Sequence, residues 1–192
     1  MGFQVDSSTG AGTPIPGLSL LESGGTAAML MDPMGGYLLT ATGSAQANVY
    51  GVSSDGSLSA ALSSVPLGSG PNYAQVVDPN GRFEYVASFT DGAITALTLN
   101  SASGALQTIA GSPYPVSPSS CFSGSGYAIA MDPSASWLYV LCGPLQSTTN
   151  PVILVSSYSI NASSGALSSV GAPVSVPTTS AGWAAAIAVV GF

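Results

Sequence analysis

The sequence predicts an all-β chain assembled from a repeated unit of four short antiparallel strands. Three observations carry this. Apolar and polar residues alternate with a period of two through short runs such as Phe83 to Ala87 and Ala93 to Leu99. Turn signals interrupt those runs at close intervals: Asp78-Pro79-Asn80-Gly81, Asp91-Gly92 and Ser103-Gly104. The unit recurs, with Asp-Pro turns at Asp32, Asp78 and Asp132 spaced 46 and 54 residues apart, and turn glycines at Gly10, Gly56, Gly104 and Gly165 spaced 46, 48 and 61. A four-strand period of about 40 to 50 residues is the signature of β-propeller blades.

The clearest unit runs from Tyr73 to Ile109. Tyr73 to Val77 is a short apolar strand rich in β-formers. In the turn that follows, Pro79 presets φ, Asp78 is placed to accept backbone N–H groups ahead of it, and Gly81 takes a positive φ freely. The second strand puts Phe83, Tyr85 and Ala87 on one face and Glu84 and Val86 on the other. The third sets Ile94, Ala96 and Thr98 against Thr95, Leu97 and Leu99. The fourth is expected from Ala105 to Ile109.

Aligning the rest of the chain to this unit gives one partial propeller over residues 1–192. It comprises a half blade (1–20), three blades (26–67, 72–116 and 126–176) and a closing strand (183–192), about 3.5 to 4 blades in all. In the half blade, Phe3 to Asp6 matches a third strand and Ser7 to Ile15 a turn and fourth strand. The closing stretch Trp183 to Phe192 matches a first strand, with Ala188 in place of the Asp. The wider last spacing comes from two longer loops, Pro115 to Gly126 and Gly143 to Pro151.

Blades that do not complete a ring leave apolar faces uncovered. Each outer face would expose on the order of 500 Å², more than a monomer usually leaves in one patch, and would forgo about 12 kcal/mol of burial. A partner is therefore expected. It is a second copy of the chain, a missing N-terminal propeller half, or a self-closure of the last strand onto the opening half blade. The edge strands carry no Lys and little charge to guard them against strand addition.

Only 5% of the residues are charged, with one Arg, no Lys, no His and a net charge of −7, against about 25% charged in ordinary soluble proteins. A nucleic-acid partner is excluded, since nothing would neutralise phosphates. Mean hydropathy is +0.46, yet no run approaches the length of a membrane-spanning helix. A surface of Ser, Thr, Gly and Asn points to an extracellular or periplasmic protein. No Cys/His cluster exists for a metal, and no phosphate-cradling loop or other cofactor signature is present.

Cys121 precedes the first strand of the third blade and Cys142 ends its second, so a disulfide between them is reachable. Two buried free thiols are the alternative reading. Asp32, Asp78 and Asp132 read as structural turn caps. That leaves Arg82 and Glu84 as weak catalytic candidates, two residues apart on one face of a strand and placed to pair as a surface ion pair. Tyr37, Phe83, Tyr85, Trp137 and Tyr139 recur on the second strands and read as core between blades.

Asp-Pro-x-Gly-x-x-x-Tyr-Val (Asp78 to Val86), the Ser-Gly-Ala-Leu turn (Ser103 to Leu106) and the Gly-Ser-Pro-x-Pro segment (Gly111 to Pro115) together resemble the seven-bladed propeller lactonase family. That family includes 6-phosphogluconolactonase-like proteins. The resemblance implies a propeller fold and a sugar-lactone hydrolase, whose chemistry relies on charged and His residues of the central channel. This sequence departs from that pattern in having no His and a single Arg. The function expected is thus a noncatalytic interaction module that self-associates through open blade faces or edge strands. The alternatives are a lactone hydrolase or a carbohydrate-binding propeller.

Overall fold

A computed structural model describes residues 3–15, 24–69, 73–88, 90–116, 126–143, 152–177 and 187–189. Every regular element among them is a strand. The chain opens with an antiparallel hairpin of β1 (Phe3–Val5) and β2 (Gly12–Pro14). Three meanders follow. The first blade is β3 (Thr26–Met31), β4 (Tyr37–Thr42), β5 (Gln46–Val52) and β6 (Leu58–Pro66). The second is β7 (Tyr73–Val77), β8 (Phe83–Ser88), β9 (Ala93–Leu99) and β10 (Leu106–Thr108), with β11 (Tyr114–Pro115) also on β9. The third is β12 (Gly126–Met131), β13 (Trp137–Gly143), β14 (Val152–Ile160) and β15 (Leu167–Ser169), with β16 (Val174–Pro177) also on β14. The first strands β3, β7 and β12 lie beside one another, as blades set around an axis require. Most of the expected closing strand, 183–192, lies outside the described residues.

The outer edge of the blades differs from the single strand expected over Ala105 to Ile109. β10 covers Leu97 to Leu99 of its neighbour, and β11 returns to cover Ala93 and Ile94. Between the two pieces the chain bulges out through Gly111, at φ +89°, and Pro113. Ala96 sits opposite the gap, where its carbonyl accepts from Ile109 N and its N–H donates to the Ser112 hydroxyl at 2.9 Å. The Ser112 hydroxyl thus replaces the missing strand partner of the Ala96 N–H. In the first blade β6 stays continuous but slips register twice.

Period-two alternation explains the core. Phe83, Tyr85, Ile94 and Ala96 pack against Leu138, Val140, Tyr158 and Ile160 of the third blade. Val86, Leu97 and Leu99, on the opposite face, pack against Leu39, Ala41, Ala47 and Val49 of the first. The middle blade is therefore covered on both sides, and β8 is buried at every position.

Candidate functional site

The three Asp-Pro turns are built alike. Asp32 accepts from the Tyr37 N–H at 2.6 Å, Asp78 from Phe83 N–H at 2.9 Å, and Asp132 from Trp137 N–H at 2.6 Å. Each carboxylate reaches the amide five residues on and so fixes where the second strand begins. Partial burial pushes the Asp132 carboxyl up, but hydrogen bonds from Ser134 and from the Trp137, Ser134 and Ser136 amides outweigh it and hold the group below the usual carboxylate range.

Arg82 and Glu84 do not pair. The Arg82 Nε lies 3.5 Å from Asp78 Oδ2, its guanidinium stacks 4.7 Å above the Phe83 ring, and its Nη1 donates to the Ala162 carbonyl at 3.1 Å. Glu84 has no exposed surface, and neither carboxylate oxygen has a partner. Burial pushes its pKa up to about 8. The turn at Asp78 separates the two side chains. Arg82 lies before the strand and swings outward, whereas Glu84 is within β8 on the Val86 face, between the first and second blades. Gln75, which pairs with Val86 across β7 and β8, lies on that same face. Its Nε2 donates to the Leu39 carbonyl at 3.1 Å, and its Oε1 is buried without a partner. Gln75 carried no signal in the sequence, being one polar residue in a short apolar run.

The blades are joined by a repeated device. A five-residue turn between the third and fourth strands of one blade seats against the blade before it. In the second blade the turn runs Asn100 to Gly104 and in the third Asn161 to Gly165. Gly104 and Gly165 each donate to the carbonyl four residues back at 2.8 Å. Both glycines have positive φ, +72° and +71°. A Cβ at Gly104 would stand 2.9 Å from Tyr37 and from Leu62, and one at Gly165 would stand 2.6 Å from Phe83 and 2.7 Å from Ile109. Each seated turn is also latched. Tyr37 OH donates to the Ser101 carbonyl at 3.2 Å, and Arg82 Nη1 takes the equivalent Ala162 carbonyl. Tyr85 OH adds a bond to the Gly165 carbonyl at 2.8 Å. The sequence shows the glycine spacing but not that an aromatic ring of the preceding blade fills the space above each glycine.

Of the aromatics expected in the core, Phe83 and Tyr85 are buried, while Tyr37 and Tyr139 are half-buried. Trp137 departs from expectation at 41% exposed. It heads the outer face of the third blade, on which Val174 and Val176 are 60% and 44% exposed. Shallow clefts lie over the joints. One of about 370 Å³ is lined by Arg82, Phe83, Asn100, Gln107 and Ser163, and its counterpart of about 310 Å³ is lined by Tyr37, Ser53 and Ser101. At the opposite end Asp91 accepts from Ser69 N–H at 2.7 Å, from the Ser69 hydroxyl and from Ser88 Oγ at 2.9 Å, tying the inter-blade linker to a hairpin. Among the described residues no group of three His, Cys, Asp or Glu converges as a metal site. Cys142 is buried, and Cys121 lies outside the described residues, as does the disulfide expected between them.

No protein-family model and no curated protein matches this sequence. Solved structures do match it. A candidate 6-phosphogluconolactonase of Bacteroides uniformis is 20% identical with a TM-score of 0.67, over 92% of this chain and 50% of that one. A second, from Bacteroides fragilis, is 14% identical with a TM-score of 0.67, over 91% and 49%. The periplasmic gluconolactonase of Pseudomonas aeruginosa is 18% identical with a TM-score of 0.64, over 88% and 48%. The structural neighbours are thus 6-phosphogluconolactonase-like propellers, and the chain has their fold. It spans about half the length of the solved structures it matches.

Proposed function

We propose that this chain is a noncatalytic propeller module that works by association through an open blade face, in an extracellular or periplasmic setting. The observation that carries the reading is the outer face of the third blade. It presents Trp137, Val174 and Val176 to solvent, whereas the equivalent face of the second blade is sealed by its neighbour. A sheet with one apolar face exposed gains by covering it. The residue inventory supports the noncatalytic part. The chain has no His and one Arg, which is engaged by Asp78. Among the described residues the one carboxyl shifted toward neutral pH, Glu84, is sealed between blades with no exposed surface for a substrate to reach. Light scattering on the purified chain across a concentration series tests the reading, which expects a species heavier than one chain. A monomer at every concentration refutes it.

The second reading is hydrolysis of a sugar lactone. It is favoured by the likeness to the candidate 6-phosphogluconolactonases and the periplasmic gluconolactonase. Turnover of gluconolactone or its 6-phosphate that is lost in Arg82→Ala would replace the first reading with this one.

A further inference from the structure

The joint between blades has one unfilled half at each end of the described chain. Trp137 heads β13 where Phe83 heads β8, each being the residue whose N–H the turn Asp holds. Phe83 is 5% exposed beneath the seated Gly165 turn, but Trp137 is 41% exposed. Val170 stands where Ile109 does, since each donates its N–H to the third strand one residue beyond the β15 or β10 pairing, at 2.9 Å. Ile109 is 6% exposed and Val170 42%.

The opening hairpin carries the complementary half. Its turn, Asp6 to Gly10, is the same five-residue turn as Asn100 to Gly104 and Asn161 to Gly165. Gly10 donates to the Asp6 carbonyl at 2.8 Å with φ +72°, and Asp6 Oδ1 accepts from Ser8 and Thr9 N–H as Asn100 and Asn161 do from theirs. Yet a Cβ at Gly10 would meet nothing within 4 Å. Val5 occupies the place of Leu99 and Ile160 on the face turned to the preceding blade. It is 63% exposed where they are 5% and 9%.

The geometry points to a second copy of this chain as the occupant: the opening hairpin of each copy seats on Trp137 and Val170 of the other, closing a two-chain ring. This rests on the association reading above and names its surface. Three features support it. The two unfilled halves match each other in turn type, glycine position and apolar anchor, and this device already joins blades within the chain. Trp137 carries an indole N–H where Tyr37 uses its hydroxyl to latch the turn carbonyl, and Ser7 supplies the equivalent carbonyl. The solved structures match this chain over about half their length, so two copies supply the length of one. A head-to-tail contact used twice by two copies closes on itself by a two-fold rotation and leaves neither half free.

The test is native mass spectrometry and light scattering on the 192-residue chain, on Trp137→Glu, on Val5→Glu, and on a mixture of the two variants. The wild type is expected as a pair. Each variant alone damages both joints and should associate more than about 100-fold more weakly. The mixture keeps one joint intact, wild-type Trp137 on wild-type Val5, so pairing should return, which misfolded variants would not achieve. Pairs that persist in both variants, or variants that stay apart when mixed, overturn the joint while leaving self-association standing. Species larger than two copies overturn the closed ring. A wild type that is monomeric throughout sinks the association reading itself.

Discussion

Replacing Glu84 by Gln should make the protein more stable at neutral pH, by an amount that depends on pH. The Glu84 carboxyl lies between two blades with burial alone acting on it, and its pKa rises from 4.5 to about 8. At pH 7 the folded chain therefore holds this group protonated while the unfolded chain has released the proton. The unfolded state binds fewer protons through this window, so stability falls as pH rises, by about 1.4 kcal/mol per unit. The penalty is absent below pH 4.5, reaches about 3 kcal/mol at pH 7 and levels near 5 kcal/mol above pH 8. Glutamine keeps the shape and removes the proton linkage, and an amide and a neutral carboxyl are both left without partners here, so their desolvation costs nearly cancel. Urea denaturation of wild type and Glu84→Gln from pH 4 to pH 9 measures the difference directly, since every other titrating group is common to both. The expected curve is near zero at pH 4 and about 3 kcal/mol in favour of the variant at pH 7. A difference that does not change with pH, or a variant less stable than wild type at pH 7, refutes the burial of an unpartnered carboxyl.

Gly165→Ala forces a methyl to within 2.6 Å of Phe83 on a backbone of φ +71°, so chemical denaturation should show a loss of about 2 to 4 kcal/mol. Ala135 holds φ +55° at the turn position that Gly35 and Gly81 occupy in the other two blades, and Ala135→Gly should raise the melting temperature by the equivalent of about 1 kcal/mol. If Cys121 and Cys142 are bonded, alkylation of the folded or denatured chain labels neither until reduction, and reduction should cost about 3 kcal/mol of stability; labelling of unreduced chain would show thiols instead.

The sequence alone determined the repeat, the turns and the alternation, because each is local. A carboxylate that reaches an amide five residues on, a glycine at positive φ and a period of two are written within a few residues of one another. That is why Asp32, Asp78 and Asp132 were legible as turn residues, and why Phe83 and Tyr85 could be set on the face opposite Val86. The tertiary structure decided what lies across each face, because blades meet through residues 36 to 80 positions apart. Arg82 and Glu84 look like neighbours in the chain, yet a turn sends one to solvent and a neighbouring blade closes over the other. The glycine rhythm of Gly10, Gly56, Gly104 and Gly165 was plain in the sequence. Only the folded chain shows that rings and aliphatic side chains of the blade before fill the space above three of them and leave Gly10 open, with Trp137 uncovered at the far end. Local periodicity fixes the shape of a blade. Which of its surfaces are used is a property of the neighbours that surround it.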